Sequence, residues 1–85
     1  MSLVKGKMYA VNHSLSVWIK GADGTLALGA DGRTLPAGTY VVVLDIEDRS
    51  WGLRLQLLAH DGTIVGTNIF HENSEYWFKK AKHDI

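Results

Sequence analysis

Residues 53–70 carry the pattern that most restricts how this chain folds. Leu53, Leu55, Leu57 and Ala59 recur at every second position, with Arg54, Gln56 and His60 facing the other way, and Asp61-Gly62 follows at once. Alternation with a period of two marks a half-buried strand, because successive side chains of a strand point to opposite faces. An Asp-Gly pair makes positive φ cheap. Thr63–Phe70 is therefore expected to return as the second strand of a hairpin, across a two-residue turn.

The remaining segments extend the β pattern. Lys7–Val11 opens one strand, and Leu15–Lys20 either prolongs it or follows after Asn12-His13-Ser14. Within the second stretch Leu15, Val17 and Ile19 share one face, while Ser16, Trp18 and Lys20 share the other. Residues 21–35 are rich in turn formers and contain a near-duplication, Gly-Ala-Asp-Gly-Thr-Leu followed by Gly-Ala-Asp-Gly-Arg-Thr-Leu. Leu35-Pro36-Ala37-Gly38 reads as a tight turn into a strand. Thr39–Ile46 is β-branched and apolar on both faces, as a bent strand shared by two sheets would be, and Glu47-Asp48-Arg49-Ser50 reads as a polar loop. At the far end two readings compete. Asn73 or Ser74 could cap a helix running to Lys82, or His71–Glu75 could form one 3₁₀ turn before a short strand, Tyr76–Ala81. The second is preferred, because four strands need a fifth to close a barrel and remove the edges. The expectation is one all-β domain over residues 1–85, a five-stranded barrel with a long first loop; an OB-like barrel or a small open sheet is the alternative.

This layout resembles the SH3-type barrel. The excursion from His13 to Gly38 is similar to that family's first large loop, Thr39–Ile46 to its second strand, and Asp61-Gly62 to its distal hairpin turn. Trp51 stands where the family places a tryptophan at the start of the third strand. Gly66 resembles its fourth-strand glycine, and Asn73-Ser74-Glu75-Tyr76 its turn and tyrosine before the last strand. The opening Lys7-Met8-Tyr9-Ala10-Val11 departs from the Ala-Leu-Tyr-Asp-Tyr-like motif of peptide-binding members, and no proline follows shortly after Gly66. The resemblance thus implies the small SH3-like proteins of bacteria and phages, and not recognition of proline-rich peptides.

Composition narrows the function. Nine Lys/Arg balance nine Asp/Glu, which argues against a role devoted to duplex nucleic acid. The absence of cysteine rules out disulfides and thiolate metal sites. An 85-residue domain without such staples has a stability margin of a few kcal/mol, which self-association would enlarge. No apolar run approaches the roughly 20 residues that span a bilayer. Residues 1–7 lack the apolar stretch of a signal peptide, so a cytoplasmic location is expected.

Catalytic and metal-binding patterns are not evident. The Asp-Gly pairs at 23, 31 and 61 are too isolated for a calcium loop and fit turns. His13, His60, His71 and His83 are scattered, and His71-Glu72 is not followed by a second histidine at ligand spacing. The acidic residues Asp45, Glu47 and Asp48 do not converge, since Asp45 and Glu47 share a face while Asp48 belongs to the loop. Neither a Gly-x-Ser-x-Gly elbow nor a phosphate-cradling loop occurs.

The aromatics carry more information. Trp18 lies opposite its strand's apolar face, Trp51 borders a polar loop, and Tyr76-Trp77 follow another. Adjacent positions of a strand face opposite ways, so Phe78 is assigned to the core and Trp77 to the surface. Exposed tryptophans reduce solubility and commonly serve as interface anchors. The expected function is a non-enzymatic, cofactor-free module that docks a protein partner, or copies of itself, through Trp18, Trp51, Tyr76 and Trp77. The alternative is single-stranded nucleic-acid binding, with bases stacked on Tyr76 and Trp77 and phosphates met by Lys79, Lys80 and Lys82.

Overall fold

A computed structural model describes residues 2–19 and 32–81. Seven strands occur among them: β1 (Met8–Val11), β2 (Leu15–Ile19), β3 (Gly32–Leu35), β4 (Tyr40–Arg49), β5 (Gly52–Ala59), β6 (Ile64–Ile69) and β7 (Phe78–Lys80). A 3₁₀ turn (His71–Asn73) and a single helical turn, α1 (Ser74–Trp77), separate β6 from β7. The strands form one curled antiparallel sheet in the order β3-β2-β6-β5-β4-β1-β7. The fold is all-β, as expected, but the five-stranded count is not met. No helix among the described residues is long and apolar enough to cross a membrane.

The β5–β6 hairpin forms where the alternation places it. Leu55, Leu57 and Ala59 are buried, and Leu58 pairs with Ile64. The turn is one residue longer than expected. The Ala59 N–H donates to the Thr63 carbonyl (2.8 Å) and the Gly62 N–H to Ala59 (3.0 Å), enclosing His60-Asp61-Gly62. Gly62 takes a left-handed φ, 86°. The three-residue form places that φ at its last position, where glycine is favoured.

Asp61 locks this turn. Its carboxylate accepts from the Thr63 backbone N–H (3.0 Å) and pairs with Arg33 of β3 at 3.1 Å. Thr63, through its N–H and then its hydroxyl, with Arg33 adding to the effect, pulls the Asp61 pKa down to about 2. The folded state therefore holds this proton less tightly than the unfolded chain. The contribution is complete above the ordinary aspartate pKa and disappears as pH falls through about 2. We expect Asp61→Asn to flatten the acid limb of stability between roughly pH 4 and pH 2. Equal pH slopes for the two proteins in urea titrations would contradict this.

One open alternative is resolved, and three further elements differ from the sequence-based expectation. Asn12-His13-Ser14 break the chain, so β1 and β2 are separate strands in different parts of the sheet. Gly32–Leu35, expected to be turn, pairs with β2 as β3. Residues 15–19 and 32–35 of the expected first loop are thereby paired strands. The polar residues Glu47, Asp48 and Arg49 continue β4 and pair with Arg54, Leu53 and Gly52, leaving Ser50-Trp51 as a two-residue turn. Glu47, Asp48 and Arg49 are all exposed, so polarity does not separate strand from loop here. Trp51 therefore occupies the turn and not the start of a strand. Tyr76 and Trp77 belong to α1, and the last strand begins only at Phe78. Asn12 explains that shift: its backbone N–H donates to the Trp77 carbonyl (2.8 Å) and its amide to the Glu75 carbonyl (3.1 Å). These bonds satisfy carbonyls that a short helix leaves without partners.

The curl has a visible source. β4 pairs with β5 in one register up to Val43 and in another from Asp45, leaving Leu44 as an extra residue. A bulge of this kind bends a strand and increases its twist. The bend wraps the sheet around Tyr9, Val11, Leu15, Val17, Leu35, Val41, Val43, Leu55, Leu57, Val65, Ile69 and Phe78. Among the described residues no ladder joins β3 to β7, so the sheet is a half-barrel with two edges.

Candidate functional site

A concavity with a mixed lining lies at one end of the sheet, where the β4–β5 turn meets the segment leaving β6. It is a cleft of about 460 Å³ lined by Trp51, Arg54, Asn68, Ile69, Phe70, Asn73 and Trp77. That volume falls within the range of ligand-binding clefts.

Local structure sets each wall. Trp51 projects from the two-residue turn and is 43% exposed. Arg54 and Asn68 pair directly across β5 and β6, on the face opposite the core. Ile69 is buried, and Phe70 is 60% exposed beyond it. The 3₁₀ turn then brings Asn73 round, with its N–H donating to the Phe70 carbonyl (3.0 Å). Trp77 of α1 closes the far side and packs partly against the core.

Gly52 lets these parts meet. A Cβ at this position would overlap the Ile69 carbonyl oxygen and crowd Phe70. Only a residue without a side chain allows the turn to approach the end of β6 so closely.

The charges around the cleft are unevenly matched. Glu47 lies across the strand pair from Arg54, yet its carboxylate is taken by Arg49 at 2.8 Å and 3.3 Å. Asp48 is taken by His71 at 2.8 Å, which ties β4 to the 3₁₀ turn. Arg54 has no ion pair among the described residues. Its guanidinium carbon lies 6.0 Å from the centroid of the Trp51 ring, and its Nε is buried without a hydrogen-bond acceptor.

The expected binding residues thus divide. Trp51 and Trp77 share the cleft. Tyr76 is 53% exposed but stacks on His13, with centroids 4.2 Å apart, and meets Trp77 edge-on at 4.9 Å, so it adjoins the cleft without lining it. Trp18 stands apart on β2, half-buried, paired in register with Gly66 on one side and Gly32 on the other. Its indole N–H is buried without a hydrogen-bond acceptor among the described residues. Lys79 and Lys80 are exposed on β7, and Lys82 lies outside the described residues, as do Asp23-Gly24 and Asp31.

Sequence reasoning did not single out Phe70, Asn68, Asn73 or Arg54 as cleft residues. Strand alternation already directed Arg54 outward, and the same rule applied beyond Ile69 would have exposed Phe70. Asn73 is placed by a turn that no periodicity announces. Among the described residues, no group of three or more His, Asp or Glu side chains is arranged to hold a metal ion.

A second apolar surface crosses the outer face of the sheet, where Met8, Val42, Leu58 and Ile64 form one cross-strand row beside Tyr40. No protein-family model, no curated protein and no solved structure matches this chain.

Proposed function

We propose that this chain is a non-enzymatic docking module that binds a protein partner at the Trp51–Phe70–Trp77 cleft. The observation that carries the reading is the convergence of three large rings, two of them substantially exposed, around one concavity with a polar rim. Interfaces of this kind gain most of their affinity from a few aromatic anchors buried between partners, while polar neighbours fix orientation. Arg54, Asn68 and Asn73 supply that rim. The SH3-like resemblance is compatible with such a role without specifying a ligand.

The nucleic-acid alternative has weaker support. Its two rings have different surroundings, since Tyr76 is stacked on His13 and Trp77 faces the cleft. Neither presents a clear platform beside Lys79 and Lys80.

A random peptide library panned on the immobilised protein tests the proposal. Trp51→Ala, at a ring that is 43% exposed, serves as counter-target. We expect enriched peptides that shift the amide resonances of Trp51, Phe70, Asn73 and Trp77, and whose affinity falls at least tenfold in the variant, as loss of a hot-spot ring implies. Peptides that bind both proteins equally would place the docking surface elsewhere. Failure to enrich any sequence would reject the reading.

A further inference from the structure

We infer that the cleft is built for an acidic segment: an extended stretch of a partner protein in which an Asp or Glu carboxylate neighbours a large apolar side chain. The inference rests on the docking reading and adds the chemistry of the occupant.

Its basis is the unmatched cation. Among the described residues, Asp45 and Glu47, which line a groove together with Arg54, are committed to Lys5 and Arg49, and Asp48 to His71. Arg54 is left with a buried Nε donor that has no acceptor, and burying such a donor is unfavourable. The Trp51 ring, which covers one side of the guanidinium, offers cation–π attraction but accepts no in-plane hydrogen bond. A carboxylate is the group that fits a guanidinium edge, because its two oxygens match the planar array of N–H donors. Reaching Nε requires Trp51 to tilt, a movement available to a side chain on an exposed two-residue turn.

The other walls define what accompanies the charge. Phe70 and Trp77 offer apolar surface, and Ile69 floors the space between β6 and α1. The amides of Asn68 and Asn73 make no side-chain hydrogen bonds to other described residues, which leaves them free to pair with a peptide backbone. A cationic or purely apolar occupant would leave the Arg54 charge unpaired beneath it. An acidic–apolar pair would use both features at once.

Three probes of one shape separate these cases: indole-3-acetate, indole-3-acetamide and tryptamine, each titrated at pH 7 and low salt. The tryptophan indole N–H signals and the Arg54 Nε–H signal are followed by NMR. We expect the anion to bind roughly five- to tenfold more tightly than the neutral amide, and the cation to bind least. The preference should fall to about one in Arg54→Gln and survive in part in Arg54→Lys. Equal binding of acetate and acetamide by the wild-type protein would overturn the acidic class while leaving the docking cleft intact. Absence of shifts at Trp51 and Trp77 with all three probes would remove both. An oligothymidylate that shifts the cleft resonances at lower concentration than indole-3-acetate would reassign the site to nucleic acid.

Discussion

Replacing Gly52 with alanine is expected to cost about 2–4 kcal/mol, most of what a domain of this size has to lose. Two effects add. The new Cβ would overlap the Ile69 carbonyl oxygen, which is backbone within a paired strand and cannot rotate aside. The φ of 157° also lies at the margin of a region that residues with side chains seldom adopt. Urea denaturation followed by tryptophan fluorescence measures the loss. Gly62→Ala provides the comparison, because φ there is 86° but nothing lies within 4 Å of the added carbon. That variant should lose only about 1 kcal/mol, the cost of the backbone conformation alone. Equal losses at the two positions would show that the β4–β5 turn does not press against the end of β6. The cleft would then lack its hinge of close contact.

Phe78→Ala is the second large effect, with an expected loss of roughly 3–5 kcal/mol. The ring is 1% exposed and meets Tyr9 edge-on at a centroid distance of 6.3 Å. It is also the residue through which β7 pairs with Val11 of β1. Truncation removes buried surface at a point where the sheet has one short strand left to hold it. The variant should be largely unfolded at 25 °C, or should retain the β4–β5–β6 meander while β7 and α1 detach. Amide exchange distinguishes these outcomes, and Phe78→Leu should recover about half of the loss by refilling much of the space. Native-like protection at β7 in Phe78→Ala would contradict the packing described.

The two predictions concern opposite kinds of legibility. Phe78 could be assigned to the core from sequence because it follows a tryptophan in a segment expected to be strand. The assignment is correct although the segment is not strand until that very residue. Leu55, Leu57 and Ala59 were legible for a stronger reason, since a half-buried sheet imposes period two directly on the chain. Gly52 was silent. Its requirement comes from Ile69, a residue brought alongside by the sheet, and no local pattern records such an approach. The same holds for α1, whose terminal carbonyls are taken by Asn12 from the other end of the described chain. β3 was hidden because Gly32-Arg33-Thr34 has turn-like composition, and it is held by Leu35 in the core and by the Arg33–Asp61 pair. For the cleft, the sequence identified Trp51 and Trp77 individually. Their shared concavity follows from the turn at His71–Asn73, which alternation cannot foresee.

The position of β1 between β4 and β7 sets the timetable of folding. The β5–β6 hairpin needs only neighbours in sequence, and β4 joins it across two residues, so this meander can close as soon as it has been synthesised. β1 emerges from the ribosome well before either of its partners and is completed only when Phe78–Lys80 arrive. Until then the buried faces of Tyr9 and Val11 have no β7 beside them, and β1 keeps an open strand edge. Contacts this distant in sequence are slow to form because the intervening chain must first be ordered.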